Sequence, residues 1–136
     1  MALPLPEEPE VHEHYVCDAL TVLGAAAHRQ GAIERAVSLF EQSLDRTRQF
    51  GHRWGYAAAR TYLALVVLDQ ADYERVEALC EESLTLARAL GEARNCALLL
   101  AAQGQAASRR GAAARAAELF QENLALRQEG ITISED

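Results

Sequence analysis

The side chains best suited to chemistry are four histidines, three cysteines and a few arginines and aromatics in unusual places. His12, Glu13 and His14 have the donor types of a metal site. Two histidines two positions apart on a helix point to different sides, however, and in a flexible tail they chelate only weakly. His28 and His52 fall near expected helix ends, an ordinary place for them. Cys17, Cys80 and Cys96 lack the paired short spacing of a zinc knuckle or a disulfide framework. No serine, cysteine or carboxylate pair is associated by motif with a histidine as nucleophile and base, and no glycine loop is built to cradle phosphate. The chain therefore reads as a non-enzyme with no cofactor and no metal, and its chemistry is that of a surface.

Charge narrows the kind of surface. The net charge is −7 over 136 residues, with thirteen arginines and no lysine. Glu7, Glu8, Glu10, Glu13, Glu135 and Asp136 supply six of those seven charges, so residues 16–130 are close to neutral. No basic stripe exists to follow a phosphate backbone, which argues against nucleic acid as a direct ligand. The opening residues lack a basic start and an apolar run, and the longest apolar run, Cys96 to Ala102, is too short to span a bilayer. Three cysteines without a framework fit the reducing cytoplasm, and a membrane role is not expected.

The elements that must position such a surface repeat. Gly31-Ala32-Ile33-Glu34-Arg35-Ala36-Val37-Ser38-Leu39-Phe40 returns forty positions later as Ala71 to Cys80 and forty later again as Gly111 to Phe120. Residues 1–9, rich in proline and glutamate, read as a flexible lead-in. The spacing then predicts six helices over about 10–30, 32–50, 52–70, 72–90, 92–110 and 112–129, broken near Gly31, Gly51, Ala71, Gly91 and Gly111. Val16, Leu20, Leu23 and Ala27 form the apolar stripe of the first helix. Ile33, Ala36, Val37, Phe40, Leu44 and Thr47 form that of the second, and Asp72 is placed to cap the fourth. The repeat domain is expected to cover residues 10–130, with Gly130 ending the last helix and 131–136 a short tail. Cys80 occupies the place of Phe40 and Phe120 and reads as a small core residue. One- or two-residue links make neighbouring helices antiparallel, and no hairpin alone can bury both its faces.

These residues resemble a tetratricopeptide repeat array of three units over about residues 17–130. The family's leading apolar residue, Leu-Gly pair, small residue and following aromatic match Leu20, Leu23-Gly24, Ala36 and Phe40 in the first unit. In the third they match Leu100, Gln103-Gly104, Ala116 and Phe120. The second unit departs from the pattern with Arg60, Leu63-Ala64, Val76 and Cys80. The closing proline is absent and the period exceeds the common 34. This long form is similar to repeats of bacterial signalling ATPases and transcriptional regulators and of some eukaryotic polarity scaffolds. Gly51 to Ala57 resembles inter-repeat stretches of the bacterial regulators. The resemblance implies an all-α fold, a right-handed α-solenoid of three stacked helical hairpins, in which Gly24, Ala64 and Gly104 let paired helices cross closely.

It also implies that the first helix of each unit lines a concave groove for a peptide or helix of a protein partner. Thr21, Ala25, Thr61, Tyr62, Leu65, Ala101 and Gln105 are the candidates there, with Arg29, Arg60 and Arg109 near the edges. The carboxylate-clamping residues of chaperone-binding members are replaced by Thr21, Ala25, Tyr62 and Ala101, so that function does not carry over. Arg60, where the other units have Leu20 and Leu100, either serves function or, the favoured reading, reaches solvent along its aliphatic stem. Trp54 and Tyr56 either anchor a partner or, the favoured reading, pack against the preceding helix. The alternative role is self-association, as a homodimer through the C-terminal repeat or within a larger regulator. Leu119, Leu124 and Leu126 form that face, which Ile131 and Ile133, a second copy, or a continuing array would cover.

Overall fold

The computed structural model describes residues 9–135, and the side chains of 12–129. Residues 1–8 of the expected 1–9 lead-in and the side chains of Ile131 and Ile133 lie outside the described residues, while Pro9 is already helical. Among the described residues there are six helices and no strand: α1 (Pro9–Arg29), α2 (Ile33–Phe50), α3 (Arg53–Asp69), α4 (Tyr73–Ala89), α5 (Ala93–Arg109) and α6 (Ala113–Glu135). The fold is all-α.

Each break is made the same way. Gly31, Gly51, Gly91 and Gly111 take φ values of 80°, 67°, 70° and 81°, and Ala71 takes 61° at the equivalent place. A left-handed residue after a helix lets the next amides reach back, as His52 N–H does to the Thr47 carbonyl at 2.9 Å. Glycine accepts that conformation freely, whereas the Cβ of Ala71 makes it strained. Asp72 caps α4 as expected, its carboxylate accepting from the Arg75 amide at 3.3 Å. At Gly130 the expected stop is absent: α6 continues to Glu135. Glycine in a helix interior costs about 1 kcal/mol but does not forbid the helix.

The chain forms two compact units, divided within α3 between Leu63 and Ala64. In the first, α1 and α2 pack as a hairpin. Cys17, Ala27, Ala36, Leu39, Phe40 and Leu44 are buried. A Cβ at Gly24 would lie 2.6 Å from the Phe40 ring, so only glycine lets the helices close over that ring. The inward face of α1 therefore runs through Cys17, Gly24 and Ala27. Leu23, expected in the buried stripe, is 49% exposed.

In the second unit α5 packs against both α4 and α6. Val76, Cys80, Leu84 and Ala87 of α4 are buried, as are Leu99, Leu100, Ala102, Ala106 and Ala107 of α5. Gly104 faces Phe120 as Gly24 faces Phe40, with a Cβ placed 2.9 Å from the ring. The two hairpins also share a polar tie. Ser43 Oγ donates to the Cys17 carbonyl at 3.2 Å, and eighty positions on Asn123 Nδ2 donates to the Ala97 carbonyl at 2.6 Å. Equivalent residues thus make equivalent bonds.

Candidate functional site

The groove candidates of the first unit are mostly occupied within it. Thr21 Oγ1 donates to the Cys17 carbonyl and lies 3.0 Å from Ser43 Oγ, which leaves Thr21 half-buried in the hairpin. Ala25 is half-buried. Thr61 is fully buried, its hydroxyl donating to the Ala57 carbonyl at 2.8 Å. It is a core residue, not a groove contact. The half-buried Tyr62 ring stacks on Phe40 with centroids 5.8 Å apart, so it covers that ring.

Arg60 departs from the favoured reading of its sequence position, the one that sends it to solvent. It is 9% exposed, and its Nη1 donates to Tyr56 Oη at 3.0 Å. The guanidinium does not snorkel outward; the phenol holds it inside. Arg48 also approaches the Tyr56 ring, 5.8 Å from the centroid. Burial pushes the Tyr56 phenol up, but hydrogen bonds and positive charge from Arg48 and Arg60 outweigh it and bring the phenol below its ordinary value. Trp54, expected to pack against the preceding helix, is instead 52% exposed. Of the aromatic pair, only Tyr56 turns inward.

The histidines meet across helices. His14 of α1 stacks on His52, ahead of α3, with centroids 3.8 Å apart and planes 15° apart. Gly55 makes room for the His52 ring, since a Cβ there would lie 2.6 Å from Nδ1. That Nδ1 is buried with no hydrogen-bond partner among the described residues. Burial first, and the charge of His14 second, hold His52 below the usual histidine value, while Asp18 opposes them. Parallel stacked rings do not converge lone pairs on one ion. Among the described residues no three His, Cys, Asp or Glu side chains gather as metal ligands. The three thiols are buried and unpaired. Burial raises Cys17 and Cys96, and it pushes Cys80 up to about 12, so these sulfurs stay protonated and weakly nucleophilic at neutral pH.

The groove candidates of the second unit are less enclosed. Leu65 and Ala101 are half-buried and Gln105 is exposed. Gln105 and Arg109 line a cleft of about 280 Å³ with Leu68, Asp69, Ala71 and Tyr73. A second cleft of about 310 Å³ runs between α5 and α6, lined by Ala93, Arg94, Ala97, Leu98, Leu126 and Arg127. Leu98 was not among the sequence candidates, yet it shares a helix face with Ala101 and Gln105, three and seven positions on. Of the three leucines assigned to self-association, Leu119 is 8% exposed and belongs to the core, because it points into the α5·α6 hairpin. Leu126 is half-buried beside Leu98, and Leu124 is 57% exposed. No helix among the described residues is long and apolar enough to cross a membrane. No protein-family model matches the chain, and neither curated proteins nor solved structures give a significant match.

Proposed function

We propose that the chain is a non-catalytic protein-interaction module of the tetratricopeptide type, a right-handed solenoid of three helical hairpins that works in the cytoplasm. The repeat reading is supported by the five left-handed breaks and by the matching ties Ser43–Cys17 and Asn123–Ala97. The binding reading rests on one observation, the cleft of α5 and α6. Leu98, Ala97 and Leu126 give it an apolar floor, and Arg94 and Arg127 stand at its sides. An apolar side chain of a partner peptide or helix fits that floor, and an acidic neighbour suits the arginines. Leu65, Ala101 and Tyr62, all half-buried, are the further groove contacts; Thr61 serves the core.

Affinity capture from the source cell, run in parallel with the parent, Leu98→Glu and Leu65→Ala, tests this reading. A partner anchored on the α5 face is lost with Leu98→Glu and weakened by about 1 to 3 kcal/mol with Leu65→Ala if that residue is central. A partner held equally by all three proteins, each with unchanged helicity, would place binding elsewhere.

A further inference from the structure

Among the described residues two helix faces stand open, and the repeat identifies what fits each. On α1, Tyr15, Val22 and Leu23 are 58%, 67% and 49% exposed, and Ala19 and Ala26 are exposed with them. The spacing 15, 19, 22, 23, 26 is one face of a helix. Eighty positions on, α5 carries Leu99, Ala102, Gln103 and Ala106 at the places of Ala19, Val22, Leu23 and Ala26. Those four are 0%, 1%, 3% and 0% exposed. The same face is therefore open on α1 and closed on α5.

In the second unit α4 packs against α5. Glu77 and Glu81 of α4 line one cleft with Gln103 and Arg110, and Arg110 Nη1 donates to Glu77. Forty positions after that α4 face, α6 carries Ala117, Phe120, Gln121, Leu124 and Gln128. Leu124 is 57% exposed, whereas its equivalents Leu84 and Leu44 are 5% and 7% exposed. So α6 shows the covering face with nothing described beneath it.

We infer that α6 of one copy covers α1 of another, head to tail, repeating between chains the α4·α5 contact made within one. Charge supports a second copy as the occupant. Where Glu77 of α4 pairs with Arg110, the residue that follows α5, the corresponding residues are Ala117 of α6 and Gln30, which follows α1, so acid and base are lost together. Glu81 and Gln103 likewise become Gln121 and Leu23. The positions that replace those charged groups are uncharged, so none of them leaves the other face an unpaired ion. The contact joins two different faces, so each copy keeps one of each and association continues beyond a pair. This inference rests on the repeat reading and not on the peptide cleft.

Light scattering behind a sizing column, over a concentration series, tests it with two blocked variants, Val22→Glu and Leu124→Glu. Both positions are exposed, and circular dichroism checks that each variant keeps the parent's helicity; Ala19→Glu replaces Val22→Glu should that one unfold. The parent's mean mass rises with loading above the 14.9 kDa of one chain. Each variant alone stays at one chain, because it lacks either every head or every tail. Mixed in equal amounts, they form a complex of two copies and no more. Leu98→Glu, which tests the cleft, leaves the parent's mass profile unchanged. A parent that is monomeric at every loading, a blocked pair that does not combine, or a Val22→Glu protein that associates like the parent would each overturn the head-to-tail contact. The last result would instead mark a two-fold contact through α6.

Discussion

The α1·α2 and α5·α6 hairpins are built from equivalent parts but bury them differently. Each sets an aromatic ring over a glycine, Phe40 on Gly24 and Phe120 on Gly104. Each ties its helices with a polar side chain on a mid-helix carbonyl. Phe40 is fully buried because Tyr62 stacks on it, whereas Phe120 is only half-buried. The local motif places the ring; the next helix decides how far it leaves water. A repeat residue thus has no fixed energetic value, because much of its burial belongs to its neighbour.

The largest expected effect tests that contrast directly. Phe40→Ala should destabilise by about 3 to 5 kcal/mol, and Phe120→Ala by roughly half as much, in urea unfolding followed by circular dichroism. Equal losses would show that both rings are equally enclosed and would erase the difference between the hairpins.

A smaller effect comes from beneath the rings. Gly24→Ala drives a methyl into a ring that Tyr62 holds in place and should cost about 1 to 3 kcal/mol. At Gly104 the half-exposed Phe120 can yield, and the gain of about 1 kcal/mol in helix propensity should leave Gly104→Ala near neutral. The same unfolding measurement reads both, and a Gly24→Ala protein as stable as the parent would mean that Phe40 is free to shift.

The smallest effect separates the hairpins by pH. The stacked His14 and His52 belong to the first unit, and the place of His14 in the last hairpin is held by Arg94. His52 is held below its ordinary value, so the unfolded chain takes up its proton first as pH falls. Its stabilising contribution is full above the usual histidine value of about 6.5 and is lost as pH drops through that value towards the folded one. Melting temperatures from about pH 7.5 to about pH 5 should fall less steeply for His52→Asn, whose uncharged side chain suits a position ahead of a helix. Parallel slopes for the two proteins would assign the dependence to other groups.

Much of the fold was legible in the residues themselves. Glycines at forty-residue spacing, apolar positions three and four apart, and Asp72 before a helical run are local signals, since caps and periodicity act over one or two turns. They determined six helices and the five breaks, and the resemblance implied the close approach at Gly24 and Gly104. What they left open depends on partners distant in sequence. Leu23 carries the family motif yet faces outward, and Trp54 is exposed while Tyr56 turns in. Arg60 is retained inside by a phenol one turn away. Thr61 and Leu119, read as surface, are core. His14 and His52 stack across 38 positions that no spacing rule connects. Periodicity tells which residues share a face, but only packing decides whether another helix covers it, and that decision separated the buried face of α5 from the open face of α1.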